Sequence, residues 1–242
     1  AERRGFDPRL PLRFFCMSRP PRISAILWYW IGLALLSGGA QGATVRQDYA
    51  DGRIACVVSA PGSVPEVASA VLPIAMKTAL ERIGPPPEPA RLDIRLLAPP
   101  PFYKRAKAWF QAEAFATQTG DEIALHPGKD PLQLAFRLGH ELSHWLVYKR
   151  HPVRPPLWLD EGLAQFVAAE AAEICARTRQ QGLERPRPPD LETHLFTLDE
   201  LVGLQAYPSS AARPAAFCWQ ADARVRPLCG RLAAAEFGPF RA

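Results

Sequence analysis

Apolar and polar positions change period several times along the chain, and each change predicts an element. "RIACVVSA" (53–60) is a short apolar run closed by Pro61 and Gly62, which reads as a strand. "PEVASAVLPIAMKTALERIG" (65–84) moves to helical spacing and stops at Gly84 ahead of three prolines. "ARLDIRLLA" (90–98) alternates as a strand does, and "FYKRAKAWF" (102–110) reads as a short helix or turn. "AEAFATQTGDEIALHPG" (112–128) predicts a hairpin bending at Thr119, Gly120 and Asp121.

Asp130 then offers an N-cap and Pro131 a first-turn proline to the helix "PLQLAFRLGHELSHWLVYKR", whose basic end suits a helix C-terminus. Pro152, Pro155 and Pro156 force a turn, and "LWLDEGLAQFVAAEAAEICAR" predicts a second helix. After a polar loop (178–190), Thr197 and Glu200 have capping-box spacing, and 211–237 is mostly helical with a break expected near Pro227. Strands come first and helices later. The expected class is therefore α+β: a small N-terminal mixed sheet with an edge hairpin, packed on a helical lobe.

The start of the chain follows another logic. Met17 is followed by the cationic "SRPPR", then by the apolar run "ISAILWYWIGLALLSGGAQGA" ending in small residues. That layout predicts a secretory signal peptide over 17–42, cleaved after Ala40 or Gly42. An uncleaved N-terminal anchor is the alternative, although the run from Ile23 to Leu36 is short against the about 20 residues a membrane span needs. Residues 1–16 read as an over-extended start, leaving 43–242 as one domain of an exported, periplasmic or extracellular protein with no stable membrane span after cleavage.

Charge and cysteine content refine that expectation. The formal charge is +5, but the first 40 residues hold six arginines against Glu2 and Asp7. No basic stripe remains to follow a phosphate backbone, which excludes nucleic acid as the expected partner. Cys56, Cys175, Cys218 and Cys229 remain after cleavage, an even number that permits two disulfides in an exported chain. On one helix Cys218 and Cys229 would stand about 16 Å apart, beyond disulfide reach. Cys56 and Cys175 are then expected to pair with one each.

The chemistry concentrates in "GHELSHWLVYKRHPVRPPLWLDEGLAQF" (139–166). Residues four apart on a helix share a face, so His140 and His144 can converge on one ion, with Glu141 beside it as a proton acceptor. Two imidazoles and an oxygen ligand favour Zn2+. A catalytic zinc needs a third protein ligand. His151 is badly spaced for it, and the metzincin pattern fails because Val147 and Arg150 stand where glycine and histidine are required. Glu161 is the better third ligand, because the proline turn folds the second helix back on the first.

"HELSH" followed by "PLWLDEGLAQF" resembles the gluzincin peptidases, in particular the small thermolysin-like, peptidase MA-like domains, over about residues 50–240. The resemblance implies His140, His144 and Glu161 as zinc ligands and Glu141 as general base. It also implies a peptide or protein substrate, hydrolysed by a zinc-activated water and bound beside an edge strand, for which "DEIALHPG" is in place. Asp160 is a candidate to orient a ligand, or simply a favourable charge at a helix start. No position demands the oxyanion-stabilising role, although Tyr207 and His194 are available. His126, His151 and His194 are expected on the surface or in strands, and Trp145, Trp158 and Trp219 in the core. The alternative function is an exported, non-catalytic binding module on a peptidase-like scaffold, with zinc structural or absent.

Overall fold

The computed structural model describes residues 42–97, 114–116, 121–127, 130–151, 153–183, 191–208 and 213–229. Five strands form one mixed sheet in the order β1-β2-β3-β5-β4. Strands β1 (Ala43–Tyr49) and β2 (Ile54–Ala60) pair antiparallel through a turn in which Ala50, Asp51 and Gly52 all have positive φ. Helix α1 (Glu66–Ile83) makes the long crossover that a parallel neighbour requires, and β3 (Ala90–Leu96) then lies parallel to β2. Strand β5 (Glu122–Leu125) is parallel to β3, and β4 (Ala114–Ala116) pairs antiparallel with β5 at the far edge, so the strand within "DEIALHPG" is flanked on both sides and the edge expected there is β4 instead.

Period-two alternation decides which face is covered. Ile54, Cys56 and Val58 of β2 and Leu92, Ile94 and Leu96 of β3 all enter the core. The opposite face carries the ion pairs Arg91–Asp93 and Arg95–Glu122. Strand β1 was not expected: its residues are exposed or half-buried, so no apolar period marks it, and the backbone ladder to β2 holds it.

The helical lobe contains α2 (Pro131–Arg150), α3 (Leu157–Thr178), a 3-10 turn (Leu191–His194), α4 (Leu198–Gly203) and α5 (Arg213–Cys229). Asp130 caps α2 by accepting from the Leu132 N–H at 2.9 Å, with Pro131 in the first turn. Thr197 and Glu200 form the expected reciprocal box on α4. Pro227 lies inside the last turn of α5, which ends at Cys229, and the rest of the expected helical tail (230–237) lies outside the described residues. Residues 102–110 and the Thr119–Gly120 part of the hairpin bend lie outside the described residues, but the β4–β5 pairing is that hairpin. The observed class is α+β, as expected.

Leu138, Leu142 and Leu146 recur every four residues on α2 and are buried in the core shared with the sheet, each contributing about 1.5–3 kcal/mol. The same periodicity puts His140 and His144 on another face. Helix α3 packs against α1, α2, α4 and α5, and is buried almost all round by small residues such as Ala164, Ala168 and Ala172. Two glycines permit the closest approaches. A Cβ on Gly139 would lie 3.0 Å from Ala168 Cα of α3, and one on Gly162 would lie 2.6 Å from the Ala221 carbonyl oxygen of α5. Each glycine is the sequence neighbour of a candidate ligand, so these contacts fix where His140 and Glu161 begin.

The four cysteines are free thiols, which corrects the two-disulfide expectation. Cys56 is buried on the core face of β2, and Cys175 lies 3.8 Å from the Pro131 carbonyl oxygen. Cys218 turns toward Glu161 at 4.0 Å, and Cys229 lies on the same helix as Cys218. Cys56, Cys175 and Cys229 share the main core, whereas Cys218 packs against the smaller cluster.

Candidate metal centre

His140 and His144 occupy successive turns of α2, and Glu161 sits one turn into α3, which the proline turn returns against α2. The three side chains meet. His140 Nε2 is 3.2 Å from His144 Nε2, His144 Nε2 is 3.3 Å from Glu161 Oε1, and His140 Nε2 is 3.6 Å from Glu161 Oε2. The rings stand edge to face, with centroids 4.7 Å apart. One donor atom from each residue falls within 4.8 Å of the others.

These spacings test the fit of a metal. Donors of a tetrahedral zinc centre, each about 2.05 Å from the ion, stand about 3.3 Å apart. The three observed separations bracket that value. The side chains also lie at different depths: Glu161 is 5% exposed, against 17% and 16% for the two histidines. The imidazoles therefore face the solvent side and the carboxylate forms the floor.

Electrostatics agree with the geometry. Burial pushes the Glu161 carboxyl up, but the charge and hydrogen bond of His144, the charge of His140 and the Tyr207 phenol outweigh it and hold it down to about 2. Burial pulls His144 down, yet the Glu161 and Asp160 carboxylates and their hydrogen bonds carry it well above its ordinary value. Burial and neighbouring His144 lower His140. The cluster therefore holds excess negative charge, which a proton on His144 or a dication among the donors would equally answer. His140 Nδ1 is buried with no partner among the described residues.

Asp160 Oδ1 lies 3.1 Å from His144 Nδ1. A carboxylate only accepts, so the proton of this bond sits on Nδ1 and Nε2 is left facing the cluster. Asp160 thus touches a candidate ligand, and is 6% exposed. Glu141 is 8% exposed and lies close enough to His140 to act on it electrostatically, yet among the described residues its carboxylate has no hydrogen-bond or ion-pair partner.

The other histidines lie outside the group. His126 Nδ1 is 3.3 Å from the Leu97 carbonyl oxygen, and His194 closes the 3-10 turn. His151 caps the end of α2 and is buried rather than on the surface, which corrects its expected placement. Trp145 is in the core, with Nε1–H donating to Asp121 at 3.1 Å, whereas Trp158 and Trp219 are only partly buried, against the smaller cluster around Phe217.

Two neighbours of Glu161 were not legible in the sequence as its partners. Cys218 Sγ lies 4.0 Å from Oε2, and the Tyr207 phenol is near enough to act on the carboxylate electrostatically. Both come from segments far down the chain, and no period or spacing links them to residue 161.

No known family signature and no curated protein matches the chain. Among solved structures, its fold is similar to that of an M1 zinc metallopeptidase from Deinococcus radiodurans, at 14% identity and a TM-score of 0.33. The similarity covers 79% of this chain and 45% of that one, so the chain spans less than half the length of that structure. A likeness this distant decides neither family nor activity.

Proposed function

We propose that the chain is an exported, zinc-dependent metallopeptidase of gluzincin type. The observation that carries this reading is the convergence of His140, His144 and Glu161 at separations of 3.2–3.6 Å, close to the edge of a tetrahedral zinc site. Two imidazoles and a carboxylate leave a fourth position open, which separates catalytic from structural zinc sites.

His140, His144 and Glu161 would hold the ion, and Asp160 would keep Nδ1 of His144 protonated so that Nε2 can bind. An ion in this position supplies Lewis-acid polarisation of a carbonyl and acidifies water. Glu141, adjacent in sequence to His140 and without a protein partner among the described residues, accepts the proton of the attacking water and returns it to the leaving amine. Strand β4 is the sheet edge that runs alongside α2, so an extended peptide can add to it within reach of the cluster. Export rests on the cationic, apolar and small-residue layout of 17–42. Among the described residues no helix is long and apolar enough to cross a membrane.

Glu141→Gln tests the mechanism. It removes the base while leaving the three donors, so zinc content is expected to stay at the wild-type level while peptide hydrolysis falls by roughly 100- to 10,000-fold. Wild-type turnover in that variant would show that Glu141 is not the base.

A further inference from the structure

Strand β1 ends the sheet on the side away from β4, and among the described residues nothing pairs with its outer edge. An open strand edge invites pairing with another chain unless proline, a bulge or charge guards it. Strand β1 contains no proline or lysine, and its register against β2 runs through seven consecutive residue pairs without a bulge. Its guards are Arg46 and Asp48, both exposed, opposite in sign and 3.2 Å apart on one face.

One bond shows which backbone groups face outward. The Ala43 N–H donates to the Gly62 carbonyl oxygen at 2.6 Å, on the β2 side. Successive residues of a strand turn their N–H and C=O groups to opposite edges, so those of Thr44, Arg46 and Asp48 face the open one. Two copies paired antiparallel around a two-fold axis must therefore oppose these even-numbered residues to one another. Centred on Arg46, the pair sets arginine against arginine; centred on Asp48, it sets aspartate against aspartate. Centred on Val45, it sets Arg46 against Thr44 and leaves the charges uncompensated. Only centring on Gln47 sets Arg46 opposite the partner's Asp48 and Asp48 opposite the partner's Arg46, so that the four charges alternate in sign. The same register sets Val45, 37% exposed, opposite the partner's Tyr49, a β-branched and aromatic pair of the kind that stabilises sheets.

We propose that β1 pairs antiparallel with β1 of a second copy of this chain, around a two-fold axis at Gln47, joining the two sheets into one. Each copy presents the same self-complementary edge, as a closed dimer requires. Strands β1 and β4 lie at opposite ends of the sheet, so the pairing leaves the edge beside the metal centre open. It does not depend on the zinc-site reading. The contact is one strand wide, so the dimer is weak, with a dissociation constant of about 1–100 µM.

Sedimentation equilibrium of the purified full chain and of charge variants tests the pairing. Wild type is expected to pass from one chain to two across that concentration range. Arg46→Asp sets like charges against each other in both pairs and is expected to raise the dissociation constant about 10-fold. The double variant Arg46→Asp with Asp48→Arg restores unlike pairs in reverse order and is expected to return it to within a factor of about three of wild type. The axis has its own test. Cα atoms of a non-hydrogen-bonded pair stand about 4.5 Å apart, inside disulfide reach. Gln47→Cys is therefore expected to give a disulfide-linked dimer under mild oxidation, whereas Thr44→Cys, opposite the partner's Ala50, is not. Wild type that stays a single chain up to about 1 mM overturns the proposal and leaves the edge to another strand-forming partner. A mass that climbs past two chains overturns it as well, in favour of open-ended association. A double variant as weak as Arg46→Asp, or Thr44→Cys linking as readily as Gln47→Cys, overturns the register and the proposal with it.

Discussion

The bond between His144 Nδ1 and Asp160 Oδ1, 3.1 Å long, fixes a tautomer and a ring orientation together. Without it the imidazole can turn or place its proton on Nε2, and either change removes a lone pair from the cluster. Asp160→Ala is therefore expected to weaken zinc binding by about 10- to 100-fold while leaving Glu141 in place. Isothermal titration with zinc checks this, and an unchanged affinity would make Asp160 only a favourable helix-start charge. At this scale the convergence of His140, His144 and Glu161 was legible because the i and i+4 spacing of a helix is a geometric rule, and a proline turn is a strong signal for helix return. Tyr207 was legible only as an available phenol. Its place beside Phe217 depends on tertiary packing, which no local pattern encodes.

Helices α2, α3 and α5 lie close together because glycine and alanine occupy their contacts. At Gly162 the added Cβ would meet backbone, the Ala221 carbonyl carbon at 2.8 Å and oxygen at 2.6 Å, so a side-chain rotation cannot relieve it. Gly162→Ala is expected to destabilise the protein by about 1–3 kcal/mol. That corresponds to a fall in melting temperature of roughly 2–4 °C per kcal/mol in a chain of this size, readable by calorimetry. Because Glu161 is the neighbouring residue, zinc affinity should fall as well; an unchanged melting temperature would mean that the two helices separate freely. Helix α3 was legible from its length and start signals although its burial nearly all round leaves little amphipathic contrast. Strand β1 was not, since an exposed edge strand has no apolar face to betray it.

Across the molecule, the sheet and the helical lobe are joined where the hairpin meets α2. Asp121, at the end of the bend, accepts from Trp145 Nε1 at 3.1 Å and pairs with Lys149 at 2.5 Å, two residues one turn apart on the helix that bears the histidines. Strand β5 and the cluster of His140, His144 and Glu161 thereby share one frame. The α+β class followed from the order of patterns along the chain, strands then helices, whereas this junction depends on tertiary contacts between polar residues that look ordinary in the sequence. The cysteines make the same point: their even number suggested bridges, and the packing instead leaves all four as free thiols.

The central claim is a three-ligand zinc site, and the metal content of the purified protein beside a Glu161→Ala variant tests it most directly. About one zinc per chain in the wild type, lost or greatly weakened in the variant, is the predicted result. Wild-type protein that takes up no zinc after reconstitution, or a variant that binds it as tightly as the wild type, would contradict it.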